Sequence, residues 1–194
     1  GLIAGWIQGL GVAKLKVPAF IVTLGGLSVF RGAALVFSSG QPISAFPPEY
    51  RWWGQGMVGP VPVPVLVFLF FAVVAGIVLR YTKYGRRIYA VGGNPEVARL
   101  AGINLSRVRV LMYMFSGAVA GLAGVLLTSR TTSGNPVNGT GLELQAITAV
   151  FLGGAATAGG KGTIVGTFLA VILVGVLNNG MNLLNVSIDI QLIA

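Results

Sequence analysis

A basic stretch between two long uncharged runs constrains this chain more than any other feature. The stretch, residues 80–109, holds seven of the thirteen basic residues and a single acid, Glu96. The runs beside it, residues 52–79 and 110–129, contain 28 and 20 residues without a charge. Each is long enough to cross a bilayer as a helix, which needs about 20 residues. Because basic loops resist translocation, we expect residues 80–109 to form a cytoplasmic loop between two membrane spans.

Composition supports a multi-pass membrane protein. The 194 residues are 55% hydrophobic and only 9% charged, whereas soluble domains average about 25% charged residues. The net charge of +9 lies in loops between apolar runs, which argues against a nucleic-acid partner and for a lipid bilayer. The chain has no cysteine and no histidine, so thiol catalysis, disulfides and Cys/His metal sites are excluded. Neither a catalytic pair nor a cofactor site is indicated.

The hydropathy pattern predicts an all-α, polytopic membrane helical bundle with a single transmembrane domain over residues 1–194. The segment 143–156 is short for a span, so we expect a part-span or re-entrant segment there. Both ends of the sequence fall in apolar stretches: residues 1–13 resemble the end of a helix, and residues 187–194 start a new apolar stretch. We therefore expect a fragment of a longer chain. The expected segments are the end of a helix at 1–13 and spans at 17–38, 62–79, 110–129, 143–156 and 163–184.

The distribution of charge agrees with this topology. The loops at 39–61 and 130–142 are predicted to lie outside, where the chain has Arg51 and Arg130. Ten of the thirteen basic residues fall on the predicted cytoplasmic side, as the positive-inside rule requires. They are the seven in the basic stretch together with Lys14, Lys16 and Lys161.

A short amphipathic helix is predicted within the basic stretch. Asn94 suits an N-cap, Pro95 suits the first helical position, and Glu96 is favourable near the positive end of the helix dipole. Gly102 is a stop signal. The spacing places three apolar residues on one face, namely Val97, Leu100 and Ala101. From the pattern alone, one interpretation is a loop helix that rests on lipid headgroups.

Residues 82–103, TKYGRRIYAVGGNPEVARLAGI, resemble the coupling-loop signature of the permease subunits of bacterial ABC importers for simple sugars, the ribose, xylose, galactose and arabinose branch. VPAFIVTLGG at 17–26, ELQAITAVFLGG at 143–154, GGKGTIVGT at 159–167 and LNNGMNLL at 177–184 resemble the same family. GQPISAFPPEY at 40–50 is similar to the outer loop of xylose-type members.

The resemblance implies an ABC importer permease fold in the bacterial inner membrane and a xylose-like pentose or hexose as cargo. It implies three protein partners: a pair of cytoplasmic ATP-binding subunits, a second permease copy and a periplasmic sugar-binding protein. The permease would not be an enzyme itself, because the ATP-binding subunits hydrolyse ATP. The short helix would dock on them, and the implied coupling residues are Gly92, Gly93, Asn94, Pro95, Glu96, Val97, Arg99, Leu100, Ala101 and Gly102.

The glycine-rich segment around Lys161 is not a phosphate-binding loop. A Walker A motif would need glycine at position 155 and serine or threonine at position 162. Ala155 and Gly162 stand there instead. We therefore expect no nucleotide site of this type in the chain.

Polar residues within the expected spans are candidates for the pathway or for structural roles. Arg31 either snorkels to the outer interface, pairs with an acid, or contacts sugar. Glu143 is the best candidate for the acid, because both residues fall toward the outer side. Three amides near the outer end of the last span either bond neighbouring helices or line a polar path. They are Asn178, Asn179 and Asn182.

Other functions stay open at this point. A related permease could carry nucleosides, an autoinducer or branched-chain amino acids. A secondary transporter would usually have a titratable residue within a span, but Arg31 stays protonated and cannot cycle protons. A membrane scaffold without transport is the third alternative.

Overall fold

The computed structural model describes residues 1–15, 17–44 and 46–184. The expected cytoplasmic position of Lys16 and the apolar stretch at 187–194 lie outside these described residues. Within them the chain forms nine α-helices and one two-stranded hairpin. The helices are α1 (Leu2–Ala13), α2 (Ala19–Ser38), α3 (Pro48–Gln55), α4 (Val63–Tyr81), α5 (Lys83–Gly93), α6 (Pro95–Leu100), α7 (Leu105–Thr131), α8 (Leu142–Leu152) and α9 (Ile164–Leu183), and the strands are β1 (Met57–Val58) and β2 (Val61–Pro62).

Four of the described helices are long and apolar enough to cross a membrane: α2, α4, α7 and α9. Their lengths of 20, 19, 27 and 20 residues meet the requirement of about 20 residues for a spanning helix. The helices α1 and α8 are apolar but shorter. This architecture confirms the all-α, polytopic fold class.

Helix α7 starts five residues before the predicted boundary at residue 110. The Asn104 side chain caps it by accepting a hydrogen bond from the Arg107 backbone N–H at 3.0 Å. Arg107 and Arg109 therefore lie on the helix and not in a loop. The sequence concealed this start, because charged residues in the first turns interrupt the apolar run by which the span was predicted.

The described chain packs as two compact units. The first contains Gly1–Val73 and Pro95–Asn138, and the second contains Val74–Asn94 and the residues from Gly139 onward. In the first unit, α1 packs along α7 at glycines. A Cβ on Gly117 would lie 2.9 Å from the Cα of Gly5, and one on Gly121 would lie 3.0 Å from the Cα of Gly1. These small residues of α7 therefore form a close helix contact.

Gly124, further along α7, takes no part in this contact. A Cβ at this position would meet nothing within 4 Å, because Gly124 lies about one turn beyond the part of α7 that α1 reaches. Gly9, on α1, does belong to the contact, since a Cβ there would lie 3.0 Å from the Cα of Val110.

A short helix, α3, lies within the segment predicted as an irregular loop at 39–61. It packs on the C-terminal end of α7 in the same unit. The Tyr50 hydroxyl lies 2.6 Å from the Thr128 hydroxyl, and the Gln55 side-chain amide donates to the Arg130 carbonyl at 2.9 Å. A single bridge between Ile43 and Gly134 ties the residues before α3 to those after α7.

In the second unit, α8 and α9 form a helical hairpin. Gly153, at the end of α8, lies against α9 so closely that a Cβ there would be 2.5 Å from the Thr167 backbone nitrogen. The Thr163 hydroxyl caps α9 by accepting a hydrogen bond from the Gly166 N–H at 3.1 Å. Residues 153–163, which connect the two helices, form the glycine-rich segment around Lys161.

Candidate functional site

The predicted short helix is present as α6, Pro95–Leu100. Ala98 is its buried residue, at 3% exposure, whereas Leu100 is 84% exposed and Val97 is 59% exposed. Ala101 follows the helix and is exposed as well. The first unit therefore uses Ala98 to pack α6 and leaves the apolar face uncovered. An uncovered apolar face of this kind is suited to contact lipid or another protein.

Gly102 ends this helix in the left-handed conformation, with a φ of 77°. The N–H of Gly102 donates to the Arg99 carbonyl at 3.0 Å, and the N–H of Ile103 donates to the Ala98 carbonyl at 3.0 Å. These bonds satisfy carbonyls that the helix end would leave unpaired. Glycine is suited to this position because a Cβ disfavours positive φ.

Sequence reasoning missed α5, which covers Lys83–Gly93 in the segment before Asn94. The Thr82 hydroxyl caps its first turn by accepting from the Gly85 N–H at 3.2 Å. Thr82 was the available sequence signal for the start of this helix, because threonine is a favoured N-cap residue. Four basic residues from Arg80 to Arg87 and three glycines interrupt the apolar periodicity that would otherwise have predicted a helix here. Two of the predicted coupling residues, Gly92 and Gly93, belong to this helix, and Asn94 is its extended C-cap residue.

The second unit places α5 against the glycine-rich segment. The Tyr89 hydroxyl donates a hydrogen bond to the Gly162 carbonyl at 2.8 Å, across 73 residues. A Cβ on Gly92 would lie 2.5 Å from the Gly160 backbone nitrogen. Two segments that were identified separately in the sequence therefore form one contact.

The polar residues of the spans lie on three different helices. Arg31 lies in α2 of the first unit, twelve residues after the helix begins. Glu143 lies in the first turn of α8, where its carboxylate accepts a hydrogen bond from the Gly141 N–H at 3.1 Å. The pairing of Arg31 with Glu143 stays a prediction. The three amides Asn178, Asn179 and Asn182 lie in the last turns of α9, where Asn179 and Asn182 are exposed.

A cleft of about 460 Å³ lies in the first unit. Its walls are mostly apolar, with Arg109 and Tyr113 as the polar side chains. None of the site residues predicted from the sequence lines it. Among the described residues, no group of three or more His, Cys, Asp and Glu side chains could hold a metal ion.

Comparison with known proteins assigns the family. The family described as "Branched-chain amino acid transport system / permease component" matches residues 1–193. The ribose import permease protein RbsC of Bacillus subtilis (strain 168) is 43% identical over 188 residues, covering 96% of this chain and 58% of the relative. RbsC of Escherichia coli (strain K12) is 42% identical over 197 residues, covering 100% of this chain and 61% of the relative.

The L-arabinose transport system permease protein AraH of Escherichia coli (strain K12) is 36% identical over 181 residues, covering 93% of this chain and 55% of the relative. The chain thus spans 55% to 61% of the length of these relatives. No solved structure matches it. The described residues include four helices long and apolar enough to cross a membrane, so the chain is a multi-pass inner-membrane protein, and it belongs to the family described as "Branched-chain amino acid transport system / permease component".

Proposed function

We propose that the chain is part of the transmembrane permease subunit of an ATP-driven importer for a monosaccharide. The observation that carries this proposal is the uncovered apolar face of α6, with Leu100 84% exposed. This face lies within the most specific motif of the sequence, and a docking partner would bury it. A permease without an ATP site of its own needs such a contact, because the energy for import has to reach it from a separate subunit.

In this proposal the segment from Arg80 to Gly102 lies in the cytoplasm. The charges of this segment favour that side. Central apolar contacts carry most of the binding energy of an interface, so Val97, Leu100 and Ala101 would enter a groove of the ATP-binding subunit. Glu96 and Arg99 would then make contacts at the rim.

The cargo we propose is a pentose or a hexose. RbsC, at 42% to 43% identity, and AraH, at 36%, carry ribose and L-arabinose in their names, and the segment 40–50 favours a xylose-like sugar. The description of the family names branched-chain amino acids, so such an amino acid is the second candidate. Exposed amides at Asn179 and Asn182 are suited to weak hydrogen bonds with sugar hydroxyls along a path.

The proposed mechanism is alternating access. Two permease copies would form the pathway, and a periplasmic binding protein would deliver the sugar from outside. ATP binding would close the pair of ATP-binding subunits and displace the cytoplasmic loop. The spans would then shift between inward-open and outward-open states.

Reconstitution of the full-length permease tests this function. Proteoliposomes would contain the permease and its ATP-binding subunits, with the binding protein and ATP on the appropriate sides. We expect uptake of radiolabelled D-ribose, L-arabinose or D-xylose that requires ATP hydrolysis and survives an ionophore. Uptake of leucine instead would select the amino acid cargo. Uptake that an ion gradient drives without ATP would indicate a secondary transporter, and no uptake of any solute would favour a scaffold.

A further inference from the structure

The contact between α5 and the residues that join α8 to α9 has a consequence for how movement passes through the protein. We call residues 153–162 the glycine loop. The end of α5 meets this loop backbone to backbone: a Cβ on Gly160 would lie 2.5 Å from the Cα of Gly93, and one on Gly159 would lie 2.8 Å from the Gly92 carbonyl oxygen. No side chain separates the two segments at these positions.

The Tyr89 side chain adds a directed bond to this contact. Its hydroxyl donates to the Gly162 carbonyl at 2.8 Å, and the residue is only partly exposed. Tyr89 lies about one turn before Gly92 on α5, so the same face of the helix carries both contacts. The bond therefore fixes the rotation of α5 about its own axis relative to the loop.

The glycine loop is in turn fixed to its two helices. Within the loop, the Ala156 N–H donates to the Lys161 carbonyl at 3.0 Å, and the Gly159 N–H donates to the Ala156 carbonyl at 2.9 Å. Gly153 and Gly166 bring the end of α8 and the start of α9 into backbone contact. A displacement of the loop therefore displaces the ends of both helices.

We infer that α5 and the glycine loop move as one rigid body during the transport cycle and pass movement of the cytoplasmic loop to α8 and α9. Tyr89 and Gly92 are the positioning residues of this body. The inference rests on the proposed function. Its physical basis is that closely packed backbones deform little, so that a shift at one segment moves its neighbour as a whole.

The first test compares two helical glycines of the second unit. A methyl group at Gly92 would lie 2.5 Å from the Gly160 nitrogen, whereas one at Gly76, on α4, would meet nothing within 4 Å. Gly92→Ala should therefore separate α5 from the loop, and Gly76→Ala should not. Both changes replace a helical glycine by alanine, which favours the helix, so the difference between them reports the contact with the loop.

The measured quantity is the number of sugar molecules imported per ATP hydrolysed. We expect Gly92→Ala to lower this ratio by roughly two- to thirtyfold, the range typical of residues that couple sites. Gly76→Ala should leave it unchanged. Tyr89→Phe keeps the ring and removes only the bond to Gly162, so it should lower the ratio less than Gly92→Ala does. Basal ATP hydrolysis and subunit association should stay at their unsubstituted values for Tyr89→Phe.

The second test asks whether the two segments separate. In a background without other cysteines, Gly93→Cys and Lys161→Cys would be joined by a short bismaleimide. Uptake by this double variant should be the same before and after the crosslink forms, because a rigid body loses nothing when its parts are joined. Uptake that falls when the crosslink forms, or a ratio for Gly92→Ala equal to that of Gly76→Ala, would overturn the inference. Absence of ATP-driven uptake in the unsubstituted complex would instead refute the proposed function.

Discussion

Ser129 and Tyr50 are joined by a hydrogen bond in which the Ser129 hydroxyl donates to the Tyr50 backbone carbonyl at 2.5 Å. Ser129 has no exposed surface. The bond connects α3 to the last turns of α7 across 79 residues. Together with the hydrogen bonds of the Tyr50 hydroxyl and the Gln55 side-chain amide, this bond attaches α3 to the C-terminal end of α7.

Ser129→Ala should therefore destabilise the protein. Loss of a hydrogen bond of this kind costs about 0.5–1.5 kcal/mol. Ser28→Ala is the matched control, because Ser28 is exposed and bonds only to Leu24 of its own helix. The apparent melting temperature of the purified permease in detergent measures both changes. Equal melting temperatures for the two variants would contradict the prediction.

Gly117 and Gly124 provide a comparison within one helix. Gly117→Ala should destabilise the contact between α1 and α7 by roughly 1–3 kcal/mol, because the added methyl has no space. Gly124→Ala faces open space and should be neutral or stabilise the helix by up to about 1 kcal/mol. Thermal unfolding in detergent measures the difference. A loss of stability at Gly124 as large as that at Gly117 would show that some other contact decides the outcome.

Leu100→Asp should stop sugar uptake and weaken association with the ATP-binding subunit. The change places a charge in the apolar face that we propose is buried on docking, where unpaired charges are costly. Glu96→Gln is the control at the proposed rim and should have much less effect. Uptake and ATP hydrolysis are measured together in proteoliposomes. Normal, ATP-coupled transport by Leu100→Asp would mean that α6 has no part in docking.

Gly102→Val should impair transport through the backbone. A β-branched residue resists the φ of 77° found there, and the strain would be about 1–3 kcal/mol. Gly102→Asn is the control, since asparagine tolerates the left-handed conformation. Uptake by the two variants at equal expression is the measurement. Equal uptake by Gly102→Val and Gly102→Asn would show that the geometry of this helix cap does not affect transport.

The proposed topology can be checked with single cysteines in a cysteine-free background. Asn94→Cys should react with an impermeant maleimide only after spheroplasts are permeabilised, because the proposal places the basic segment in the cytoplasm. Gln41→Cys, in the loop at 39–61, should react in intact spheroplasts. Labelling of Asn94→Cys in intact spheroplasts would reverse the proposed orientation.

The sequence was most informative where local chemistry determines structure. Pro95, Glu96 and Gly102 predicted α6 nearly to the residue, because caps and stops act within one turn. The spans were predictable from apolar runs, with boundaries displaced where charged residues lie on a helix, as at the start of α7.

The parts that could not be predicted depend on distant partners. Proline and glycine concealed α3, although proline is tolerated in the first turn of a helix. The bonds that attach α3 involve residues 75 to 79 positions away. The contact between Tyr89 and Gly162 is of the same kind. Two motifs recognised separately gave no indication that they meet, since the glycines involved carry no side chain whose pattern could be read.

The length of α7 has a consequence for the membrane that surrounds the protein. Its 27 residues extend about 40 Å, which exceeds the hydrocarbon core of about 30 Å. Arg109 and Arg130, 21 positions apart on this helix, are separated by about 32 Å along its axis. A bilayer with a hydrocarbon core of about 30 Å therefore fits between the backbone positions of the two arginines. A thicker bilayer would either draw one of the charges into the acyl chains or make the helix stand more nearly perpendicular to the membrane.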